Sequence, residues 1–148
     1  MFTKQKIVDA AFVKASVGRS ESLTGFSGDD MADALNELEM MMADWQGKGW
    51  DLCYQFADPT DSEATATPRP NEPAMIDRRW NSAVTSNLAI RICTMLGLSP
   101  SAEVAAEAYN GTLELSIAFV KVPDKSKAKA GSMATYGLIG SGNTVKKW

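Results

Sequence analysis

A chain of 148 residues with 45% hydrophobic and 22% charged residues has the composition of a single ordinary globular domain. Its net charge of −3 speaks against a domain built mainly to bind nucleic-acid phosphates. The lack of any histidine removes Ser-His-Asp and Cys-His nucleophiles and His-containing zinc sites.

The first predicted element is a helix over 4–17, with Ile7, Val8, Ala11, Phe12 and Ala15 on one face, Thr3 as cap and Gly18 as stop. Residues 18–28 are rich in Gly and Ser and read as a loop. The clearest stripe follows over 28–46, where Met31, Ala34, Leu35, Leu38, Met42 and Trp45 recur at spacings of three and four. Ser27 is placed to cap this helix, Asp29 and Asp30 sit where its dipole favours negative charge, and Asp33, Glu37 and Asp44 fall on the opposite face. Residues 50–57 then alternate, with Trp50, Leu52, Tyr54 and Phe56 to one side, as in a short strand whose partner is either the C-terminal region or a neighbouring subunit.

Residues 58–74 contain Pro59, Pro68, Pro70 and Pro73 among Asp, Thr, Ser and Ala, and read as a long exposed loop, functional or disordered. A third helix is predicted over 75–96 with Trp80, Val84, Leu88, Ile92 and Met95 as its stripe. A fourth starts at Ser99-Pro100 and runs to about 119, weakened at Asn110-Gly111. The fold class is therefore mainly α: a small four-helix bundle-like body, 1–120, with one strand-like segment and an extended C-terminal arm, 121–148.

Charge divides at the same boundary. Residues 1–120 hold nine of the fifteen Lys and Arg and seventeen of the eighteen Asp and Glu, whereas 121–148 hold six lysines against Asp124 alone. Lys121, Lys125, Lys127 and Lys129 give way to the glycine-broken run of Met133, Tyr136, Leu138, Ile139 and Asn143, and then to Trp148. A frayed lysine tail has no use for those apolar residues. The pattern fits an arm that orders on a partner, with lysines steering and apolar residues anchoring.

Catalytic equipment is sparse. Gly137-Leu138-Ile139-Gly140-Ser141-Gly142 has no strand before it, no helix after it and no Lys-Ser/Thr ending, so it does not read as a phosphate loop. Paired carboxylates are the available alternative, drawn from Glu37, Glu39, Asp44, Glu103 and Glu107, and solvated helix faces account for them. Arg78-Arg79 beside Trp80 reads as a helix start rather than a nucleic-acid groove. Cys53 and Cys93 are expected as buried thiols outside any disulfide, and no cofactor or metal is expected. Met1-Phe2-Thr3-Lys4 lacks a signal-peptide core and no stretch approaches about 20 apolar residues, so the expectation is a soluble cytoplasmic product with no membrane partner.

Several segments in order carry a family resemblance: Leu23-Thr24, the helix from Asp33 through Met40-Met41-Met42-Ala43-Asp44-Trp45, Tyr54-Gln55-Phe56-Ala57-Asp58, Ser82-Ala83-Val84, Asn87-Leu88-Ala89-Ile90-Arg91-Ile92 and Gly140-Ser141-Gly142-Asn143. Together they resemble the tail accessory factor, or packaged-DNA stabilisation (head-completion) protein, of short-tailed Salmonella-type phages. The resemblance implies a non-enzymatic virion protein at the portal vertex, made in the host cytoplasm. It implies a ring of twelve copies under the portal protein that extends the DNA channel, retains packaged DNA without binding it specifically, and carries tail needle and tailspike proteins. The arm residues Lys121, Lys125, Lys127, Lys129, Met133, Tyr136, Leu138, Ile139, Asn143 and Trp148 are the expected portal and subunit contacts. The competing reading is a cell-wall-hydrolysing virion protein, a glycosidase using the acidic residues; a small DNA-binding regulator is disfavoured by acidic helices.

Overall fold

The computed structural model describes residues 2–17, 27–58 and 67–120. These form four helices, α1 (Lys4–Ala15), α2 (Gly28–Gly47), α3 (Asn81–Met95) and α4 (Ala102–Ala118), with a single 3-10 turn, Arg78–Trp80, leading into α3. Among the described residues there is no sheet, only an isolated antiparallel bridge between Thr3 and Pro73.

The helix starts follow from local chemistry. Thr3 accepts a hydrogen bond from the Lys6 amide, and Ser27 and Asp30 form a reciprocal capping box at the start of α2. The two amides of α1 left without intrahelical partners, those of Lys4 and Gln5, donate to the carbonyls of Glu72 and Pro70, both at 2.9 Å. The end of the segment expected as a free loop is thus docked against α1. Pro68 and Ala74 are buried, and the Ala74 amide donates to the Phe2 carbonyl.

Two expected starts move. Residues 74–77 do not join α3: Met75 has φ +60, and the Asp77 carboxylate caps the 3-10 turn by accepting from the Arg79 amide at 3.2 Å, so the α-helix begins only at Asn81. For α4 the cap is Ser101, whose hydroxyl accepts from the Val104 amide, rather than Ser99.

Residues 50–57 keep the expected alternation without a strand ladder. Leu52 is buried and Trp50, Tyr54 and Phe56 are half-buried, while Asp51, Cys53 and Gln55 are exposed. Cys53 sits at φ +58, which interrupts pairing, and the Gln55 amide reaches the Ala74 carbonyl at 3.2 Å. Cys53 is therefore exposed, against expectation, while Cys93 is buried with its sulfur 3.9 Å from the Ala15 carbonyl.

α3 is the hub. It packs most extensively against α4 and α1, with α2 lying against both α1 and α3. Val84, Leu88, Ala89 and Ile92 are fully buried, in one core with Ile7, Val8, Phe12, Leu38 and Met41. The expected weak point at Asn110-Gly111 is where α4 comes closest: a Cβ on Gly111 would sit 2.7 Å from the Ala83 Cβ. Glycine survives in this helix because the neighbouring backbone leaves no room for a methyl.

Gly111→Ala is accordingly expected to destabilise by about 1–3 kcal/mol through overpacking, although alanine is the better helix former by about 1 kcal/mol. Thermal unfolding followed by circular dichroism checks the sign, and a raised Tm would show that α3 and α4 separate at little cost.

Candidate assembly surface

The residues expected to dock a partner, Lys121, Lys125, Lys127, Lys129, Met133, Tyr136, Leu138, Ile139, Asn143 and Trp148, all lie outside the described residues. The described residues end just before that segment. α4 ends at Ala118, the Phe119 ring lies 6.1 Å from the Trp80 ring, and Val120 follows, exposed.

α4 carries an apolar face that sequence reading did not single out. Val104, Ala108, Gly111 and Leu115 are buried towards α3. On the opposite side Tyr109, Leu113 and Ile117 stand in line at helical spacing, 70%, 46% and 67% exposed, with Val120 continuing them. A helix apolar on two faces is normally buried on both, so this one has a face that the described residues leave uncovered. Glu103 and Glu114 flank the stripe, exposed and in no salt bridge among the described residues. The signal was present in the sequence as Tyr109, Leu113 and Ile117 at intervals of four. It was obscured because the inner face of α4 is built from small residues and a glycine.

A second apolar surface lies on α2. Asn36, Glu39, Met40, Phe56, Ala57, Thr67 and Pro68 line an open groove of about 570 Å³. Met41 and Met42 are buried while Met40 is half exposed at its rim, dividing the methionine triplet as its helical spacing requires. Arg69, next to Pro68, is exposed and outside any salt bridge among the described residues.

The carboxylates available for acid-base chemistry are mostly engaged. Lys4 is wholly buried, and its ammonium donates to Glu39 at 2.6 Å and Glu72 at 2.8 Å, lying 5.1 Å from the centre of the Tyr54 ring. Glu39 also accepts from the Tyr54 hydroxyl at 2.9 Å and the Ala57 amide at 3.3 Å. Burial, with the charge and hydrogen bond of Glu39 beside it, pushes the Tyr54 hydroxyl far above the ordinary tyrosine value. For Glu72 burial works upward, yet the Lys4 hydrogen bond and charge, aided by Arg69, outweigh it and hold the carboxyl below its usual range.

Two further polar links tie the helices. Lys14 pairs with Glu107 and donates to Ser86 at 2.7 Å, and Ser86 donates to Glu107 at 3.0 Å, joining α1, α3 and α4. Hydrogen bonds from Lys14 and Ser86, then the Lys14 charge, hold Glu107 below the ordinary glutamate value. Arg91 spans Glu37 at 3.4 Å and Asp44 at 2.6 Å, joining α3 to α2. Among the described residues, Glu103 alone of the expected acids makes no such link. No group of acids and cysteines among the described residues is arranged to hold a metal ion, and no helix there is long and apolar enough to cross a membrane.

With this geometry in place, comparison with known proteins yields two findings. A family model described as P22 tail accessory factor matches residues 1–148. A phage protein named peptidoglycan hydrolase gp27, from Acyrthosiphon pisum secondary endosymbiont phage 1, is 24% identical over 146 residues, covering 94% of this chain and 86% of that protein.

The polar links make two predictions. Lys4→Met strands Glu39 and Glu72 and is expected to lower stability by about 3 kcal/mol, read by chemical denaturation, with Glu39→Gln in the same chain recovering part of the loss. Glu72 and Glu107 have folded values below 4.5, so their stabilisation is complete above that pH and fades as pH falls through the folded values. A Tm-against-pH profile should drop on the acid side, less steeply in Glu107→Gln; an unchanged slope would remove Glu107 from the account.

Proposed function

The chain belongs to the P22 tail accessory factor family, and from that premise we propose that it is a virion adaptor that acts by binding rather than by turnover. Copies of it form a ring beneath the portal protein, lengthen the DNA channel, retain packaged DNA, and present a platform for tail needle and tailspike proteins. The body 1–120 is the ring-building part, and 121–148 is the arm that grips the portal. Twelve copies is the ring size that the family resemblance implies.

The observation that carries this reading is the match of the family over the entire chain. Two physical features support it. The six lysines and the apolar residues of 121–148 follow α4 in sequence, and the outer face of α4 is apolar and left uncovered by the described residues. The body around them is acidic, which disfavours adhesion of DNA to a channel wall built from it.

The hydrolase reading is favoured by the name of the gp27 relative, peptidoglycan hydrolase. Its strongest pair is Glu39 and Glu72, brought together on the Lys4 ammonium. That arrangement suits structure better than glycoside cleavage. A general acid needs a carboxyl held protonated near neutral pH, and Lys4 drives Glu72 the other way.

Deleting 121–148 is expected to abolish binding to cognate portal rings in sedimentation or electron microscopy while far-UV circular dichroism retains its helical signal. Undiminished portal binding by the truncated chain would refute the arm. Glu39→Gln, Glu72→Gln and Glu103→Gln, each folded, are expected to have no effect in a cell-wall lysis assay beside the intact protein. Lysis by the intact protein that one of these substitutions abolishes would establish the hydrolase instead.

A further inference from the structure

The described residues leave two apolar surfaces uncovered, and no substantial packing joins the helices that bear them. One is the outer face of α4, with Tyr109, Leu113 and Ile117 exposed on the side away from α3. The other is the groove between α2 and the segments at Phe56-Ala57 and Thr67-Pro68, with Met40 at its rim. We propose that these are the two halves of one heterologous contact: the α4 stripe of each copy seats in the Met40–Phe56–Pro68 groove of the next. The proposal rests on the ring reading above and specifies the surfaces through which the ring closes.

Three physical features favour a second copy as the occupant. Helix-in-groove recognition uses apolar anchors repeating along one helix face, and Tyr109, Leu113 and Ile117 stand at successive intervals of four against a groove bordered by Met40, Phe56 and Pro68. The flanking charges are complementary. Glu103 and Glu114 beside the stripe and Arg69 beside the groove are exposed and make no salt bridge among the described residues, so each has a charge to offer across an interface. Finally, the donor and acceptor surfaces differ, so the contact is head-to-tail, the kind that propagates from copy to copy and closes into a ring when the rotation permits.

The area sets how strong this contact is. Tyr109 to Ile117 span about 12 Å of helix, and a stripe about 10 Å wide along them offers about 120 Å². A standard interface buries about 800 Å² on each partner. The lateral contact alone is thus too small to hold a ring in dilute solution. It becomes effective when the arms hold neighbouring copies side by side on a template and raise their effective concentration. Chains that are separate in solution and cooperative on the portal follow from this.

The test uses two full-length chains, each carrying Cys53→Ser to remove the exposed native thiol. One also carries Leu113→Cys and the other Met40→Cys. Mixed at high concentration, and separately on portal rings, they are oxidised and resolved by mass. A mixed Leu113→Cys/Met40→Cys disulfide is the expected product, in much higher yield on portal than in solution. Glu114→Arg should lower that yield several-fold, and Arg69→Glu in the opposite chain should restore it.

Equal or dominant like-with-like disulfides would overturn the proposal, since they report a two-fold contact. So would a Met40→Cys thiol that fails to react with a small thiol reagent, because the groove would then be covered within the subunit. Absence of mixed disulfide both in solution and on portal-bound chains overturns it as well. If neither chain binds portal but the mixed disulfide forms in concentrated solution, the portal reading fails and the α4-to-groove contact stands.

Discussion

The seating of α3 between its neighbours is the constraint on which the subunit depends. α3 is too apolar to have a wet side of any width: Ala83, Val84, Leu88, Ala89, Ile92 and Cys93 are all buried. Such a helix must be covered from several directions, and α1, α4 and α2 supply the cover. On the α4 side the approach is limited by Ala83 meeting Gly111, with small residues at the point of closest contact as in other tightly packed helix pairs. Asn87 secures the same junction, donating to the carbonyls of Ala83 and Ala108 while its own oxygen accepts from the Thr112 hydroxyl. Once α4 lies on α3 through this narrow face, its larger apolar side chains are left pointing outward.

The polar links specify which segment goes where. An ammonium without water is costly unless its charge and donors are matched, and Lys4 is matched by two carboxylates and a tyrosine ring face. Because Glu39 comes from α2 and Glu72 from the end of the proline-rich stretch, one buried lysine fixes the start of α1, the middle of α2 and the return of the chain towards α3. The backbone reinforces this, since the first amides of α1 end on Glu72 and Pro70. Removing the lysine leaves its acids without their counter-ion, whereas the surrounding apolar core is unchanged.

Function enters through what this arrangement leaves over. The acids that could have served catalysis are mostly spent on Lys4, Lys14 and Arg91, while two apolar surfaces are left uncovered by the described residues and the sequence that follows them is cationic. That is the inventory of a part made for assembly. Under the proposed function, a small lateral surface and a separate arm would together give template-dependent assembly, since a contact of that size does not close a ring in dilute solution.

Local chemistry made much of this legible before any coordinates. The 3.6-residue period of α2, the caps at Thr3 and Ser27, the alternating burial of Trp50 to Phe56 and the contrast between an acidic body and a lysine-bearing end are all short-range patterns, and each needs only neighbouring residues to be read. Tertiary structure decided what depends on distant partners. The burial of Lys4 requires Glu39 and Glu72, 35 and 68 residues away. The fit of Gly111 in α4 depends on Ala83 across the junction, and residues 72–74 are held by backbone hydrogen bonds to the N-terminal segment rather than joining α3. Which apolar face of α4 turns inward was likewise undetermined by its periodicity, since both faces repeat at helical spacing and only the close fit against α3 chooses between them.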